Sequence, residues 1–141
     1  MNTDNAKSQM RKGMLEYCVL LLLHREAAYA SDIITQLKRA DLIVVEGTLY
    51  PLLSRLKKEG LLSYQWQEST QGPPRKYYAL TADGRQALTD LDEAWNQLIR
   101  TVTLLQKETD LPQTKSTEST NIPEIPTKWK RISPSISLEH S

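Results

Sequence analysis

The first half of the chain carries three stretches in which apolar residues recur at helical spacing. The first runs from about Ser8 to Arg25, the second from Ser31 to Arg39 and the third from about Thr48 to Lys58. Because residues three and four positions apart share one face of a helix, each stretch predicts an α-helix with a buried face. Residues 1–8 are polar, and we expect them to lie outside these helices.

The ends of the helices are indicated by residues with defined backbone roles. Ser31 or Asp32 is suited to cap the second helix, since its side-chain oxygen can accept an unpaired N–H of the first turn. Pro51 predicts that the third helix starts close to Gly47, because a missing N–H costs little in a first turn. Gly60 is expected to end that helix in the left-handed conformation.

After the third helix the period of the apolar residues changes from helical to alternating. Leu62, Tyr64 and Trp66 alternate with polar residues, which indicates a half-buried strand. Turn-forming residues from Ser69 to Pro74 separate it from a second strand, Arg75 to Leu80. The two strands predict a β-hairpin with a polar, proline-containing tip.

A single long helix is predicted after the hairpin, from a cap at Thr81 to about Lys107. Its apolar positions alternate between spacings of three and four, which is a heptad pattern that requires a partner helix. We therefore expect this seam, with part of the first helix, to form a dimer interface, and the alternative is that it packs on its own domain. The seam residues are Leu88, Leu91, Trp95, Leu98, Val102 and Leu105.

These patterns divide the chain into three segments, and the fold class is mainly α with a small β-hairpin. Residues 1–80 have the element order of a winged helix-turn-helix DNA-binding domain, and residues 81–108 form the C-terminal dimerisation helix. Residues 109–141 contain four of the seven prolines and many serines and threonines. We expect this tail to be disordered or loosely attached.

The position of the basic residues supports DNA binding more than their number does. Lys and Arg together number 18 against 17 Asp and Glu, so contacts with DNA must depend on local clusters. With its leucines turned inward, the third helix presents hydroxyls and basic groups that suit phosphates and base edges. The predicted DNA-binding residues are Arg11, Lys12, Thr48, Tyr50, Pro51, Ser54, Arg55, Lys58, Arg75 and Lys76.

The same basic residues also have ordinary structural interpretations. Arg55 and Lys58 complement the dipole at a helix C-terminus, and Arg75 and Lys76 keep an edge strand from pairing. A winged helix used only for protein–protein contact is therefore the alternative function, although it would not need Arg55 and Lys58 on its outer face. Catalysis is not indicated, since neither a nucleophile–histidine grouping nor a glycine-rich phosphate loop occurs.

The remaining candidates for chemistry predict no metal and no cofactor. Cys18 is the one cysteine and lies in an apolar run, which fits a reducing cytoplasm. His24 and His140 are far apart in the sequence and have no neighbouring ligands. The apolar run 17–23 is closed by charged residues and is too short for a bilayer. We therefore expect a cytoplasmic protein with no membrane partner.

Several short motifs, in this order and spacing, resemble the PadR family of transcriptional regulators. They are Gly47–Leu56, Glu59–Leu61, Pro74–Tyr78, Leu80–Thr81 and Gly84–Arg85. The resemblance spans roughly residues 13–105, and the single long last helix is similar to the shorter PadR subfamily. It implies a homodimeric repressor that binds a roughly palindromic operator and responds to phenolic acids, drugs or other aromatic compounds. The tail lies outside the resemblance.

Trp95 lies in the middle of the predicted seam and indicates a place for a small aromatic effector. In a two-fold dimer two such indoles approach each other and could hold a flat molecule, with Met14 or Cys18 as an adaptable wall. The alternative is that Trp95 only packs in the interface, as large aromatic residues commonly do.

Overall fold

The computed structural model describes residues 2–109, which form four helices and a three-stranded sheet. The mainly helical winged fold with a long last helix is as predicted. The tail beyond Thr109 lies outside the described residues. The elements are α1 (Thr3–Arg25), β1 (Ala28–Tyr29), α2 (Ala30–Arg39), α3 (Glu46–Lys58), β2 (Leu62–Ser69), β3 (Gly72–Leu80) and α4 (Ala82–Glu108).

Helix α1 begins five residues earlier than the apolar period predicted. It starts at Thr3, and the side chain of Asn2 accepts a hydrogen bond from the Asp4 N–H at 3.0 Å. The prediction that residues 1–8 lie outside the helices is therefore wrong. This first part of α1 is exposed and polar, so it is stabilised by its cap and by the acidic Asp4 near the helix N-terminus rather than by burial.

The core lies between the three N-terminal helices and the sheet. Helices α1 and α2 contact β3, and α3 contacts both α2 and β2. The largest fully buried side chains are Val19, Leu20, Ile33, Leu49, Leu53, Leu56 and Leu62. Each full burial of such a side chain contributes about 1.5–3 kcal/mol, so this apolar core is what fixes α3 against the sheet.

The linker between α2 and α3 contains a left-handed residue at its second position. Asp41 has φ 67°, and the Leu42 N–H donates to the Leu37 carbonyl at 2.8 Å. At the other end of α2 the helix begins at Ala30, and Asp32 accepts a hydrogen bond from the Tyr29 N–H at 3.2 Å. The prediction of Ser31 or Asp32 as the capping residue is therefore wrong in position, since Asp32 reaches back from inside the first turn.

Helix α3 starts at Glu46, so Pro51 is its sixth residue and not part of the first turn. The predicted start near Gly47 is close, but the placement of Pro51 is wrong. The missing N–H would have donated to the carbonyl of Gly47, an exposed residue whose carbonyl water can reach. The end is as predicted: Gly60 has φ 82°, and the Leu61 N–H donates to the Leu56 carbonyl at 3.0 Å.

The sheet is antiparallel with the order β1–β3–β2. The two-residue β1, which pairs with Tyr77 and Tyr78, was not predicted. The predicted tip from Ser69 to Pro74 is too long, because Ser69 pairs with Gly72 and the prolines 73 and 74 belong to β3. They are tolerated there because β1 does not extend so far, and because the register shifts between Gln67 and Ser69.

Helix α4 is joined to the preceding elements by Thr81 and Gly84. The Thr81 hydroxyl accepts from the Gly84 N–H at 3.0 Å, as predicted for a cap, and donates to the Gly60 carbonyl at 2.6 Å. A side chain on Gly84 would collide with the Leu61 carbonyl oxygen, so this close approach requires glycine. Residues up to Asp90 form one compact unit, and α4 from Leu91 onward belongs to a second.

Candidate nucleic-acid interface

Helix α3 turns one side to the core and the other to solvent. Leu49, Leu53 and Leu56 are fully buried, as their spacing predicted. We call six of its exposed residues the α3 surface: Thr48, Tyr50, Pro51, Ser54, Arg55 and Lys58. Glu46, Gly47 and Lys57 of the same helix are exposed as well. The sequence had predicted all six as DNA-binding residues, and the structure places them on one accessible helix.

A cleft of about 580 Å³ lies between the α3 surface, the start of α2 and the hairpin. Tyr50 and Ser54 line it from α3, and Arg75 and Lys76 line it from β3. Trp66 of β2 also lines the cleft and is 61% exposed. The cleft therefore places the two predicted basic residues of the hairpin opposite hydroxyl groups of α3. Trp66 was not among the predicted DNA-binding residues.

Aromatic rings hold the two basic side chains of the hairpin. The Arg75 guanidinium carbon lies 3.9 Å from the centre of the Tyr29 ring, which also packs against Tyr77 at 4.9 Å. The Lys76 Nζ lies 4.6 Å from the centre of the Tyr64 ring and 5.4 Å from that of Trp66. Such contacts contribute about 0.5–1 kcal/mol each at exposed sites, and they restrict the rotamers of both cations.

A second cleft, of about 360 Å³, lies on another side of α3. It is lined by Arg11 and Lys12 of α1, by residues 42–45 of the linker and by Thr48. Because successive residues of a helix are about 100° apart, Thr48 and Tyr50 point to different sides, so the clefts flank the α3 surface. The structure thus brings the predicted basic residues of α1 next to the start of α3.

Two acidic side chains contact Arg55. Its Nη1 lies 3.2 Å from Glu16 Oε1 and 3.4 Å from Glu59 Oε1. The hydrogen bond that Arg55 donates to Glu16 is the largest cause of a raised pKa for Arg55. Glu16 was missed by the sequence analysis. Helical spacing indicates Glu59, four residues after Arg55, but no local signal links Arg55 to a residue 39 positions earlier.

The predicted seam of α4 is largely exposed in the single chain. Trp95 is 37%, Leu98 53%, Val102 48% and Leu105 53% exposed. Leu91 is half-buried. Leu88 was also predicted in the interface, but it is only 5% exposed and has little surface left for a partner. Two further exposed residues were missed, of which Ile99 shares the face of the seam and Leu104 lies on the opposite face of the helix.

Met14 and Cys18, the predicted wall of an effector site, lie half-buried in α1. Burial raises the pKa of the Cys18 thiol, so little reactive thiolate forms near neutral pH. No cluster of metal-ligating side chains occurs within residues 2–109. None of the helices in this part of the chain is long and apolar enough to cross a membrane.

Three helices, a hairpin beside the third, and an accessible face on that helix define a winged helix-turn-helix protein. The sequence model of the PadR-like family of transcriptional regulators matches residues 19–90, and the chain belongs to this family. It is therefore a DNA-binding transcriptional regulator, and the recognition made from its motifs is confirmed.

Solved structures and a curated relative agree with this assignment. A PadR-like transcription factor from Bacteroides fragilis is 68% identical, with a TM-score of 0.63, over 72% of this chain and 99% of that one. A PadR-family regulator from Eggerthella lenta is 33% identical, with a TM-score of 0.67, over 73% and 90% of the two chains. A transcriptional regulator of Mycobacterium tuberculosis is 37% identical over 59% of this chain and 79% of its own length.

Proposed function

We propose that the protein is a homodimeric repressor that binds a pseudo-palindromic operator. The observation that carries this proposal is the pair of clefts beside the α3 surface, each lined by two cations of the same chain. With α3 in the major groove, Arg11 and Lys12 would meet phosphates on one side of the helix. Arg75 and Lys76 would meet the backbone or the adjacent minor groove on the other.

The α3 surface supplies the groups that face the bases. Thr48, Tyr50 and Ser54 offer hydroxyls, and Lys58 adds a charge for the phosphates near the end of the helix. Pro51 presents an apolar ring to the groove. In this proposal Arg55 leaves Glu16 and binds a guanine. A guanidinium can donate two hydrogen bonds to the two acceptors of guanine in the major groove.

The dimer forms through the seam of α4. Leu98, Val102 and Leu105 lie on one helix face with about half of each side chain exposed. Pairing with the same face of a second copy would bury these groups at spacings that suit a helix pair. Leu98→Glu is expected to convert the dimer to a monomer, and light scattering measures the change in mass. The control Leu104→Glu changes the opposite face and is expected to leave the dimer intact.

An aromatic effector would bind at the seam around Trp95 and release the operator. The support is the position of Trp95 in the seam together with the properties of the family. A variant with Trp66→Phe and Trp129→Phe keeps Trp95 as the one tryptophan, so its fluorescence reports this position alone. A change of this emission with a planar aromatic compound, and release of DNA at the same concentration, are expected. Emission unchanged across a broad set of such compounds would contradict an effector here.

Fluorescence anisotropy on labelled DNA from upstream of the gene, against scrambled DNA, tests the repressor proposal. Five phosphate-contacting cations per chain, the four of the clefts and Lys58, predict a log–log salt slope of about −9 for a dimer, and Lys76→Ala is expected to make it shallower by about 2. Arg55→Ala is expected to weaken binding to the upstream DNA more than binding to the scrambled DNA. Equally weak binding to both DNAs, with no such slope, would contradict the proposal.

A further inference from the structure

The linker between α2 and α3 turns two apolar side chains toward solvent. Ile43 is 75% exposed and Val45 is 63% exposed, whereas Val44 between them is buried at 9%. Val45 is the residue immediately before α3 and has extended backbone angles. The alternation of an extended segment therefore buries one valine in the core and projects its two neighbours outward.

Both exposed side chains line the cleft that holds Arg11, Lys12 and Thr48. A surface that combines apolar groups with two cations fits a partner in which apolar and anionic groups lie close together. A second copy of this chain is a poor occupant, because a two-fold contact would set the same cations against each other. DNA has both properties, since each thymine places a C5 methyl in the major groove between rows of phosphates.

We propose that Ile43 and Val45 are specificity-determining residues that contact the methyl group of a thymine in each half-site. This inference rests on the proposed function and assigns to the linker a part of the sequence readout. The position before the first residue of α3 brings both side chains to the edge of the groove that α3 enters. Arg11 and Lys12 then hold the neighbouring phosphates, and the methyl is buried between the two aliphatic side chains.

The test replaces single thymines of the operator by deoxyuridine, which removes only the methyl group. The DNA is the upstream operator or a site selected from random DNA by the full-length protein. At one thymine of each half-site the wild-type protein is expected to lose affinity about fourfold per methyl, or about 15-fold for both half-sites. At thymines elsewhere, no loss of this size is expected.

The variant Ile43→Ser/Val45→Ser removes every methyl group at both positions and leaves a hydroxyl there, since a threonine would keep a methyl that can contact thymine. This variant is expected to bind the thymine operator about as weakly as the wild type binds the uracil operator. It is also expected to bind the thymine and uracil operators with the same affinity. Met10→Gln changes a residue that is 72% exposed but does not line the cleft, and it is expected to discriminate as the wild type does. Circular dichroism of each variant checks that the fold is retained.

Three outcomes would overturn the inference, and they differ from one another. The first outcome is that the wild type binds the operator selectively, but the loss of affinity on removing a thymine methyl never depends on residues 43 and 45. This result would refute the linker contact and leave the proposed function standing. A change in the mass of the double variant by light scattering would assign the patch to contact between protein chains. No preference of the wild type for any DNA would remove both the proposed function and the inference.

Discussion

Replacing Glu16 by glutamine is expected to strengthen DNA binding. The Arg55 guanidinium contacts Glu16 at 3.2 Å in the free protein, and this contact must break before Arg55 can reach a base. The two side chains are 49% and 32% exposed, so solvent screens the pair and its contribution is about 0.2–1 kcal/mol. Glu16→Gln removes this competition and keeps the size of the side chain. We therefore expect about a 1.5- to fivefold gain in affinity for each half-site, or about a two- to 30-fold gain for the dimer on the whole operator.

The gain should depend on Arg55, and a double-mutant cycle measures this. Anisotropy titrations of wild type, Glu16→Gln, Arg55→Ala and the double variant on the operator give the coupling between the two residues. Glu16→Gln in the Arg55→Ala background is expected to change affinity less than it does alone. Glu59→Gln is the matched comparison, since Glu59 follows the last residue of α3 and its contact with Arg55 is longer, at 3.4 Å; a smaller gain than that of Glu16→Gln is expected. An equal gain with and without Arg55 would refute the competition, because a general loss of negative charge would then explain it.

Three other substitutions test packing, backbone and the hairpin. Gly84→Ala is expected to lower the free energy of unfolding in urea by about 1–3 kcal/mol, because its Cβ would collide with a backbone carbonyl. The control Gly13→Ala lies in open space on α1 and should raise the free energy of unfolding by up to about 1 kcal/mol. Asp41→Gly should raise it by about 0.5–1 kcal/mol by relieving a positive φ, and an unchanged urea midpoint would contradict this. Tyr29→Leu should weaken binding about two- to fivefold per half-site, or about five- to 30-fold for the dimer on the whole operator, while Tyr29→Phe keeps the ring beside Arg75 and the affinity. Equal losses for both variants would contradict the stacking role.

The features predicted correctly from the sequence are those written in short-range patterns. The leucine spacing of α3 predicted which side is buried, and Gly60 predicted where the helix ends. The alternation from Leu62 predicted β2, and Thr81 predicted the start of α4. Each of these depends on residues within about one turn or one strand pair of each other, where spacing alone carries the information.

The features that were missed depend on contacts between distant residues or on very short elements. β1 has two residues, too few for an alternating pattern, and it forms because β3 offers an unpaired edge at Tyr77 and Tyr78. The contact of Glu16 with Arg55 joins two helices and requires the tertiary fold. Pro51 was misplaced because helix α3 tolerates a missing hydrogen bond on its exposed side.

The central claim is that two copies of α3 read one operator together, and the spacing of its half-sites tests this most directly. The two half-sites of a dimeric winged-helix protein lie on the same side of the DNA, about one helical turn apart or a multiple of it. Binding of the full-length protein should be measured on the operator and on variants with five or ten base pairs inserted at its centre. Insertion of five base pairs, about half a turn, is expected to reduce affinity to that of scrambled DNA. Affinity unchanged by this insertion would contradict paired recognition by a dimer.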